Sequence, residues 1–551
     1  MSLSPSAHLD TFARDHLPPA DLWPTIEFTT PELRYPDRLN AATELIDIPV
    51  LTHGADRPAL RTPDGETWSY GLLQTRANQV AQVLSEDLGL VAGQRVLLRS
   101  PNNPWTVAAW LGVLKAGGIV VTTMAALRAR ELTPIVERTE PSIALVDHRF
   151  VEDAHVVRDT VLPSLTVVAY GGTGPADLVE RAAAKSGRYT NVQTAADDVA
   201  LLGPTSGSTG VPKITMHFHR DLLTIDHTFG RPLLGLAATD TVACSAPLAF
   251  TFGLGMLVVF PLRAGACVLL TESATPSQLA EMVEREGVTV LATAPTAYRA
   301  ILREGQDRRL SGLRVAVSAG EHLPQTTWEQ LRDRLGLRVV DGIGATELLH
   351  IFLAAAGDDI RPGSTGRPVP GYRATILDFD GRELGPGEPG RLAVIGPVGC
   401  RYLDDPRQGD YVVDGWNVTG DLFSRDQDGY FYYQARSDSM IVSSGYNIGG
   451  PEVEAAIDTH PDVLECGVVG KPDPERGAIV CAFVVLRDGV PGDAAKAKEI
   501  QDHVKQVLAP YKYPREVRFC EALPRNTSGK LTHFALRKIV DEPAVVPAVE
   551  H

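Results

Sequence analysis

The 551-residue sequence has little of three things: long apolar runs, cysteine and positive charge. Its most apolar stretch, LGMLVVFPL at residues 254–262, is too short to cross a bilayer as a helix. The first ten residues, MSLSPSAHLD, lack the basic and apolar segments of a secretory signal. The six cysteines include no CxxC pair, which argues against a disulfide framework and a zinc site. We therefore expect a reduced, cytoplasmic protein with no membrane partner.

Acidic residues outnumber basic ones, with 68 Asp and Glu against 52 Lys and Arg, and the formal net charge is −16. A nucleic-acid surface requires clustered lysine and arginine, so no nucleic-acid partner is expected. An anionic ligand would need local groups that hold it against an unfavourable overall field. Hydrophobic residues make up 44% of the chain and charged residues 22%, which is the balance of a globular protein.

Short β-branched segments alternate with helical patterns in the middle of the chain. Residues 288–294, 313–320 and 337–344 predict buried strands. Residues 275–287, TPSQLAEMVEREG, predict a helix that starts with a capping box and a proline and stops at a glycine. This alternation predicts α/β layers with largely parallel sheets, in which ligands bind at the carboxyl ends of strands.

The pattern changes in the last third of the sequence. From about residue 372, strands separated by DG and GPGEPG turns predict a small antiparallel or barrel-like unit. From about Ser439, helices and strands alternate again over enough chain for a separate α/β domain of about 110 residues.

A Gly- and Ser-rich loop, TSGSTGVPK at residues 205–213, follows the apolar segment 199–202. Such a loop can turn successive backbone N–H groups towards one anion, and lysine adds a point charge that suits phosphate. It is not a Walker A loop, because two residues separate Gly210 from Lys213 and an isoleucine follows the lysine. A plain surface linker is the alternative reading of this composition.

The loop resembles the phosphate-binding signature of the adenylate-forming superfamily, which includes acyl- and aryl-CoA synthetases, nonribosomal adenylation domains and luciferases. Further motifs of that superfamily are matched in order across roughly residues 60 to 535. These are GIGATE at 342–347, WNVTGD at 416–421, QARSDSMIVSSGYNIGGPEVE at 434–454 and PRNTSGKL at 524–531. Five matches in order make chance resemblance very improbable.

The resemblance implies two domains. Residues 1–437 would form a large, multi-layered N-terminal domain with the acid and ATP sites and the small β-barrel-like unit. Residues 438–551 would form a small, mobile α/β C-terminal domain with a catalytic lysine and a loop that lines a pantetheine tunnel. Asp438 matches the hinge, although the family's common second aspartate is Ser439 here.

The resemblance also implies a nucleotide site. Its matching residues are Thr205, Ser206, Gly207, Ser208, Thr209, Gly210, Lys213, Gly320, Glu321, Asp341, Gly342, Ile343, Gly344, Thr346, Glu347, Asp421, Arg436 and Lys530. Family members often carry tyrosine where Ile343 stands, so adenine stacking from this position is lost.

Three of these residues are expected to be catalytic. Lys213 and its loop would cradle the β- and γ-phosphates of ATP, and Glu347 would bind Mg²⁺, a hard cation that takes oxygen ligands. Lys530 would bridge the attacking carboxylate and the α-phosphate as negative charge develops. Asp421 would accept hydrogen bonds from both ribose hydroxyls, and Arg436 would contact the adenylate.

The implied reaction has two halves. A carboxylate attacks the α-phosphate of ATP, giving acyl-AMP and pyrophosphate, and a thiol then displaces AMP to give a thioester. Between them the C-terminal domain would rotate about Asp438. This rotation would bring the pantetheine-tunnel loop to the site: Ser443, Ser444, Gly445 and Tyr446.

The acid is expected to be small and aromatic. DGIGATELLHIF resembles the corresponding stretch of benzoate-CoA ligases, and KITMHFHRDLL is similar to that of 2-aminobenzoate-CoA ligases. The implied pocket residues are Phe250, Thr251, Phe252, Ala319, Gly344 and His350. Bulky Phe252 and His350 would exclude long acyl chains, and the Thr251 hydroxyl favours 2-aminobenzoate or salicylate over benzoate.

Coenzyme A is favoured as the thiol, because the sequence resembles aryl-CoA ligases more than other members of the superfamily. A separate carrier protein is the alternative acceptor, and a nucleotide-binding homologue without activity is the non-enzymatic alternative. The presence of both Lys213 and Lys530 argues against the latter. Monomer and homodimer both remain open.

Overall fold

A computed structural model describes most of the chain: residues 3–205, 211–436, 440–443, 446–473, 476–508, 511–525 and 531–540. The chain divides into two compact units. The first unit is Met1–Ala374 with Ala393–Val418, and the second unit is Thr375–Leu392 with Thr419–His551. The boundary at residues 437 and 438 that the family resemblance implies stays a prediction.

The strands, in chain order, are β1 (Pro58–Arg61), β2 (Thr67–Ser69), β3 (Arg95–Arg99), β4 (Ile119–Thr123), β5 (Ile143–Asp147), β6 (Thr166–Tyr170), β7 (Val199–Thr205), β8 (Lys213–Phe218), β9 (Thr241–Cys244), β10 (Cys267–Leu269), β11 (Val290–Thr293), β12 (Val315–Ala319), β13 (Val339–Gly344), β14 (Ile351–Ala354), β15 (Arg367–Pro368), β16 (Arg373–Leu377), β17 (Gly390–Ile395), β18 (Val412–Val413), β19 (Trp416–Arg425), β20 (Phe431–Arg436), β21 (Met440–Ser443), β22 (Tyr446–Gly449), β23 (Val463–Asp473), β24 (Gly477–Leu486) and β25 (Glu516–Phe519).

The α-helices, in chain order, are α1 (Phe12–Asp15), α2 (Ile48–His53), α3 (Tyr70–Gln82), α4 (Pro104–Lys115), α5 (Ala129–Thr139), α6 (Val151–Thr160), α7 (Leu178–Ala183), α8 (His219–Ile225), α9 (Thr251–Leu254), α10 (Phe260–Ala264), α11 (Pro276–Arg285), α12 (Pro295–Arg303), α13 (Gln325–Leu335), α14 (Gln408–Tyr411), α15 (Gly450–Ile457), α16 (Ala494–Val507) and α17 (His533–Ile539). Among the residues described, none of these helices combines the length and apolarity that crossing a membrane requires.

Two large sheets organise the first unit. One has the strand order β15-β14-β13-β12-β11-β9-β10-β1-β2, and the other has the order β6-β5-β3-β4-β7-β8. Pairs within β9–β13 and within β3–β7 are parallel, whereas edge pairs such as β7 with β8 and β13 with β14 are antiparallel. The predicted α/β class with largely parallel sheets is confirmed.

Strands β16–β20, where the division between the units falls, form a sheet in which β19 pairs antiparallel with both β18 and β20. The second unit contains a further sheet with the order β22-β21-β24-β23, to which β25 adds in parallel beside β24. Helices α15 and α16 supply buried side chains to the core of this sheet, including Val453, Ile457, Ile500 and Val504.

The local signals in the sequence correspond to the elements observed. The capping box of α11 forms as predicted: Thr275 Oγ1 accepts from Gln278 N, and Gln278 Oε1 accepts from Thr275 N. The strands predicted from residue 288 onwards are β11, β12 and β13. Helices α11–α13 pack apolar side chains on these strands.

Candidate active site

Strands β7 and β8 hold the two ends of the Gly- and Ser-rich loop. They pair antiparallel with Thr205 opposite Lys213 and Gly203 opposite Thr215, so the loop leaves and re-enters the sheet at adjacent points. Lys213, the first residue of β8, therefore lies at the base of the loop. Five predicted loop residues lie outside the described part of the chain: Ser206, Gly207, Ser208, Thr209 and Gly210.

A tight turn after β13 places Glu347 beside this hairpin. A 3₁₀ turn covers Thr346–Leu348, and Leu349 follows in a left-handed conformation with φ of 67° before β14 runs back along β13. A Cβ added at Gly203 would lie only 3.1 Å from Thr346 Cγ2. The turn therefore packs closely on the hairpin, and Glu347 is buried.

The side chains of Lys213 and Glu347 meet at the hydroxyl of Tyr402. Lys213 Nζ donates to Tyr402 Oη over 2.7 Å, and Tyr402 Oη donates to Glu347 Oε1 over 2.5 Å. Lys213 Nζ also lies 3.6 Å from Glu347 Oε1. Burial and the negative charge of Glu347 raise the pKa of Tyr402 well above its usual value, so the phenol keeps the proton that it donates.

Tyr402 is the residue of this group that the sequence did not indicate. It follows the apolar segment that contains β17, and neither periodicity nor a motif distinguishes it from an ordinary core tyrosine. Its ring is fully buried and contacts Tyr411 edge-on, with ring centres 5.9 Å apart. Only the fold shows that its hydroxyl faces two charged groups.

The ends of β12 and β13 bring the residues of the expected adenine site together. Ser318 pairs with Asp341, and Ala319 pairs with Gly342. Gly320 follows β12 with φ of 90°, a conformation that favours glycine. Burial raises the pKa of Asp341 to about 8. Further residues expected here are partly buried: Glu321, Ile343 and Thr346.

The raised pKa of Asp341 predicts a pH-dependent cost in stability. An unfolded aspartate has a pKa of about 3.9, so between about pH 4 and pH 8 the folded protein binds one more proton than the unfolded chain. Stability is therefore lost as pH rises through this window. We expect Asp341→Asn to raise the melting temperature relative to wild type by more at pH 9 than at pH 5.

The matched control is Asp56→Asn, which alters an exposed aspartate of the first unit. Its melting temperature should differ from wild type by the same amount at both pH values. An Asp341→Asn difference that does not grow with pH would contradict the buried, proton-binding state of this carboxyl group. Calorimetric scans at the two pH values make the comparison.

His350, a residue of the expected acid pocket, is buried among aromatic rings. The His350 ring lies with its centre 5.8 Å from that of Phe252, and it also contacts the rings of Phe229 and Phe260. Burial lowers the pKa of His350 to about 3, so the imidazole is neutral.

Four further pocket residues were expected: Gly344, Ala319, Thr251 and Phe250. A Cβ at Gly344 would lie 2.8 Å from the His350 backbone, so no side chain fits between them. Ala319 ends β12 and is buried, while Thr251 begins α9 and is partly buried. Phe250 is 37% exposed and is therefore a weaker candidate for packing on a ligand.

The second unit contains the residues expected at the ribose and the CoA tunnel. Asp421 on β19 lies opposite Arg436 on β20, and Arg436 Nη1 lies 3.1 Å from Asp421 Oδ1. Ser443 and Tyr446 pair across the β21–β22 hairpin, and Ser443 is buried. The remaining residues expected in this unit lie outside the described part: Asp438, Ser444, Gly445 and Lys530.

Two known protein families match the chain. The family described as AMP-binding enzyme matches residues 50–401, and the one described as AMP-binding enzyme C-terminal domain matches residues 452–530. The chain belongs to the AMP-binding enzyme family. The adenylate-forming superfamily that the motifs indicated is thereby confirmed, and this AMP-binding enzyme is an AMP-forming acid–thiol ligase.

Its relatives include ligases of aromatic acids. The benzoate–CoA ligase of Thauera aromatica is 34% identical over 519 residues, which is 92% of this chain and 98% of that protein. The crystal structure of the anthranilate CoA ligase AuaEII with anthranoyl-AMP has a TM-score of 0.87 and 31% identity, and covers 93% of this chain and 99% of that one. A benzoate CoA ligase from Burkholderia xenovorans LB400 has a TM-score of 0.83 and 29% identity, with 91% and 100% covered.

Proposed function

We propose that this ligase activates a small aromatic carboxylic acid with ATP and transfers the acyl group to coenzyme A. We favour 2-aminobenzoate as the acid, with salicylate or benzoate next. The observation that supports this most directly is the aromatic cluster around neutral His350, which Phe252 contacts and Gly344 borders. Two of the relatives described above are named for benzoate and one for anthranilate.

In the first half-reaction, the acid's carboxylate oxygen attacks the α-phosphorus of ATP, and the bond to pyrophosphate breaks. We assign Lys213 to the β- and γ-phosphates and Lys530 to the charge that develops at the α-phosphate. The side chain of Lys213 is 21% exposed, so it can reach a ligand that enters from solvent. The acid supplies its own nucleophile, and no triad is needed.

Glu347 is suited to Mg²⁺. Its side chain is 11% exposed, it offers carboxylate oxygens, and it lies 3.6 Å from the ammonium group that we assign to the same phosphates. Thr205 and Thr346 supply hydroxyl oxygens from the neighbouring hairpin and turn. Bound Mg²⁺ would neutralise phosphate charge. Glu347 would hold it, and Lys213 would orient the phosphate tail.

In the second half-reaction, the CoA thiol attacks the acyl carbon, and AMP leaves. We propose that the second unit rotates about Asp438 between the halves, because Lys530 and the thiol need the same approach to the carbonyl. Ser443, Ser444, Gly445 and Tyr446 would then line the path of the pantetheine arm. Asp421 would hold the ribose, and Arg436 would contact the adenylate.

The acid itself can be identified directly. The protein is incubated with ATP, Mg²⁺, CoA and a mixture of benzoate, 2-aminobenzoate, salicylate, cinnamate, hexanoate and palmitate, and thioesters are identified by mass spectrometry. A dominant aryl-CoA product supports the proposal. Accumulation of aryl-AMP without thioester would favour a carrier protein as acceptor, and the absence of any product would favour a nucleotide-binding homologue without activity.

Thr251 predicts the preference among aromatic acids. Its hydroxyl can pair with an ortho amino or hydroxyl group, and such a bond contributes about 1 kcal/mol, or roughly fivefold. We expect Thr251→Val, which keeps the shape but not the hydroxyl, to lower the ratio of kcat/KM for 2-aminobenzoate over benzoate by about that factor. Thr251→Ser should retain the ratio. A wild-type preference for benzoate that neither variant changes would contradict the assignment.

A further inference from the structure

Tyr402 lies at the centre of the proposed phosphate and metal site, yet no motif assigns it a role. Its hydroxyl accepts a hydrogen bond from Lys213 at 2.7 Å and donates one to Glu347 at 2.5 Å. The hydroxyl is thus a hydrogen-bond partner that both charged side chains share. The role of Tyr402 can therefore be considered separately from the roles of Lys213 and Glu347.

The backbone of Tyr402 is held in place along β8, the strand that begins with Lys213. Arg401 O accepts from Met216 N at 2.8 Å, and Leu403 N donates to Ile214 O at 2.9 Å. The Tyr402 amide donates to Gln408 Oε1 at 2.8 Å. Its ring is fully buried as well, so the position of the hydroxyl is fixed by both backbone bonds and packing.

The hydroxyl also stands between two opposite charges. Lys213 Nζ and Glu347 Oε1 are 3.6 Å apart, beyond the length of a charge-assisted hydrogen bond. Without the hydroxyl, this ion pair can close to a direct hydrogen bond at a largely buried position. Such a pair would compete with phosphate for the lysine and with a cation for the carboxylate. A neutral phenol forms a hydrogen bond with both groups. Each of these bonds is weaker than a direct bond between the ammonium and the carboxylate.

The Lys213 ammonium also lies against aromatic faces. It is 4.7 Å from the centre of the Tyr402 ring and 5.7 Å from that of Tyr411. Ring faces attract a cation moderately, so they hold the side chain near the loop without neutralising it.

We propose that Tyr402 is a positioning residue for MgATP: it keeps the Lys213–Glu347 ion pair from closing to hydrogen-bond distance and so leaves both groups available to the phosphate tail and its cation. Lys213 rests on the Tyr402 hydroxyl until phosphate arrives, and Glu347 stays oriented through Oε1. The inference rests on the roles proposed above for Lys213 and Glu347, and it extends them to a residue outside the family motifs.

The test compares nucleotides by isothermal titration calorimetry. Tyr402→Phe should weaken the binding of Mg²⁺ with α,β-methylene-ATP about tenfold while leaving AMP binding unchanged, because AMP lacks the β- and γ-phosphates. Thioester formation from synthetic aryl-AMP should also be unchanged. A role only in packing would weaken both nucleotides alike, and that result would overturn the proposal.

The matched control is Tyr170→Phe, which removes another buried tyrosine hydroxyl of the first unit, one that lies 3.1 Å from Thr106 Oγ1. It should affect neither nucleotide. In a Lys213→Met background, where the lysine ammonium cannot pair with Glu347, Tyr402→Phe should have little further effect on MgATP-analogue binding. Full additivity of the two substitutions would overturn the proposal.

Two outcomes separate this inference from the proposed function. If Lys213→Met and Glu347→Gln weaken binding of the MgATP analogue and Tyr402→Phe does not, the inference fails and the phosphate site stands. If none of the three weakens it, the phosphate site assigned here fails and the inference fails with it.

Discussion

Lys530→Ala is expected to lower the rate of aryl-AMP formation by about 10²–10³-fold, the usual effect of removing a preorganised charge at a transition state. Thioester formation from synthetic aryl-AMP and CoA should keep most of its rate. The reason is that negative charge builds up at the α-phosphate in the first half-reaction. The bond to pyrophosphate is already broken before the second half-reaction begins. Pyrophosphate release and CoA-thioester production, measured separately, report the two halves.

Lys498→Ala is the matched control, because it removes an exposed lysine from helix α16 of the same unit. Both half-reactions should proceed at the wild-type rate in this variant. Equal loss of both half-reactions in Lys530→Ala would mean that the lysine is structural or that the second unit does not rotate as proposed. Lys530→Arg, which keeps the charge with a different shape, should recover only part of the first half-reaction.

Glu347→Gln is expected to lower pyrophosphate release by about 10²-fold at a fixed Mg²⁺ concentration, a loss comparable to that of one strong electrostatic contact. The amide keeps the volume of the side chain but removes the anionic oxygen that a hard cation prefers. The dependence of rate on Mg²⁺ concentration should therefore shift to higher concentrations. Glu347→Asp should retain part of the activity, because it keeps the charge on a shorter side chain.

The second half-reaction provides the internal control for Glu347→Gln. Conversion of synthetic aryl-AMP to thioester involves no β- or γ-phosphate, so it should proceed near the wild-type rate. An unchanged Mg²⁺ dependence in this variant would contradict the assignment of Glu347 as the ligand. Loss of both half-reactions together with a lower melting temperature would instead indicate that Glu347 serves mainly to hold Tyr402.

Local interactions made part of the fold predictable. The capping box of α11 joins Thr275 and Gln278 through bonds between residues three apart, so residue types alone indicate it. The β-branched segments that became β11 and β12 are buried on both faces almost throughout, which requires largely continuous apolar residues, and β13 is buried at Val339 and Val340. The succession of strand and helix then makes the parallel sheets a geometric consequence.

Long-range contacts made the rest unpredictable. Tyr402 meets Lys213 across 189 residues and Glu347 across 55, and nothing in the segment around it differs from ordinary core sequence. His350 could be placed near a pocket, but its neutrality follows from the rings of Phe229, Phe252 and Phe260, which come from separate parts of the chain. The raised pKa of Asp341 likewise depends on burial between strands.

The sequence by itself indicated the family and the class of reaction. It also marked Lys213 and Glu347 as candidate site residues, because their motifs need particular residue types at fixed spacing. Only the tertiary structure decided how these two side chains interact with each other and with Tyr402. A loop motif specifies which side chains are present. The distances between these side chains and their protonation states depend on residues that are distant in sequence and become neighbours only in the folded chain. The Tyr402 hydroxyl between an ammonium and a carboxylate is such a neighbour.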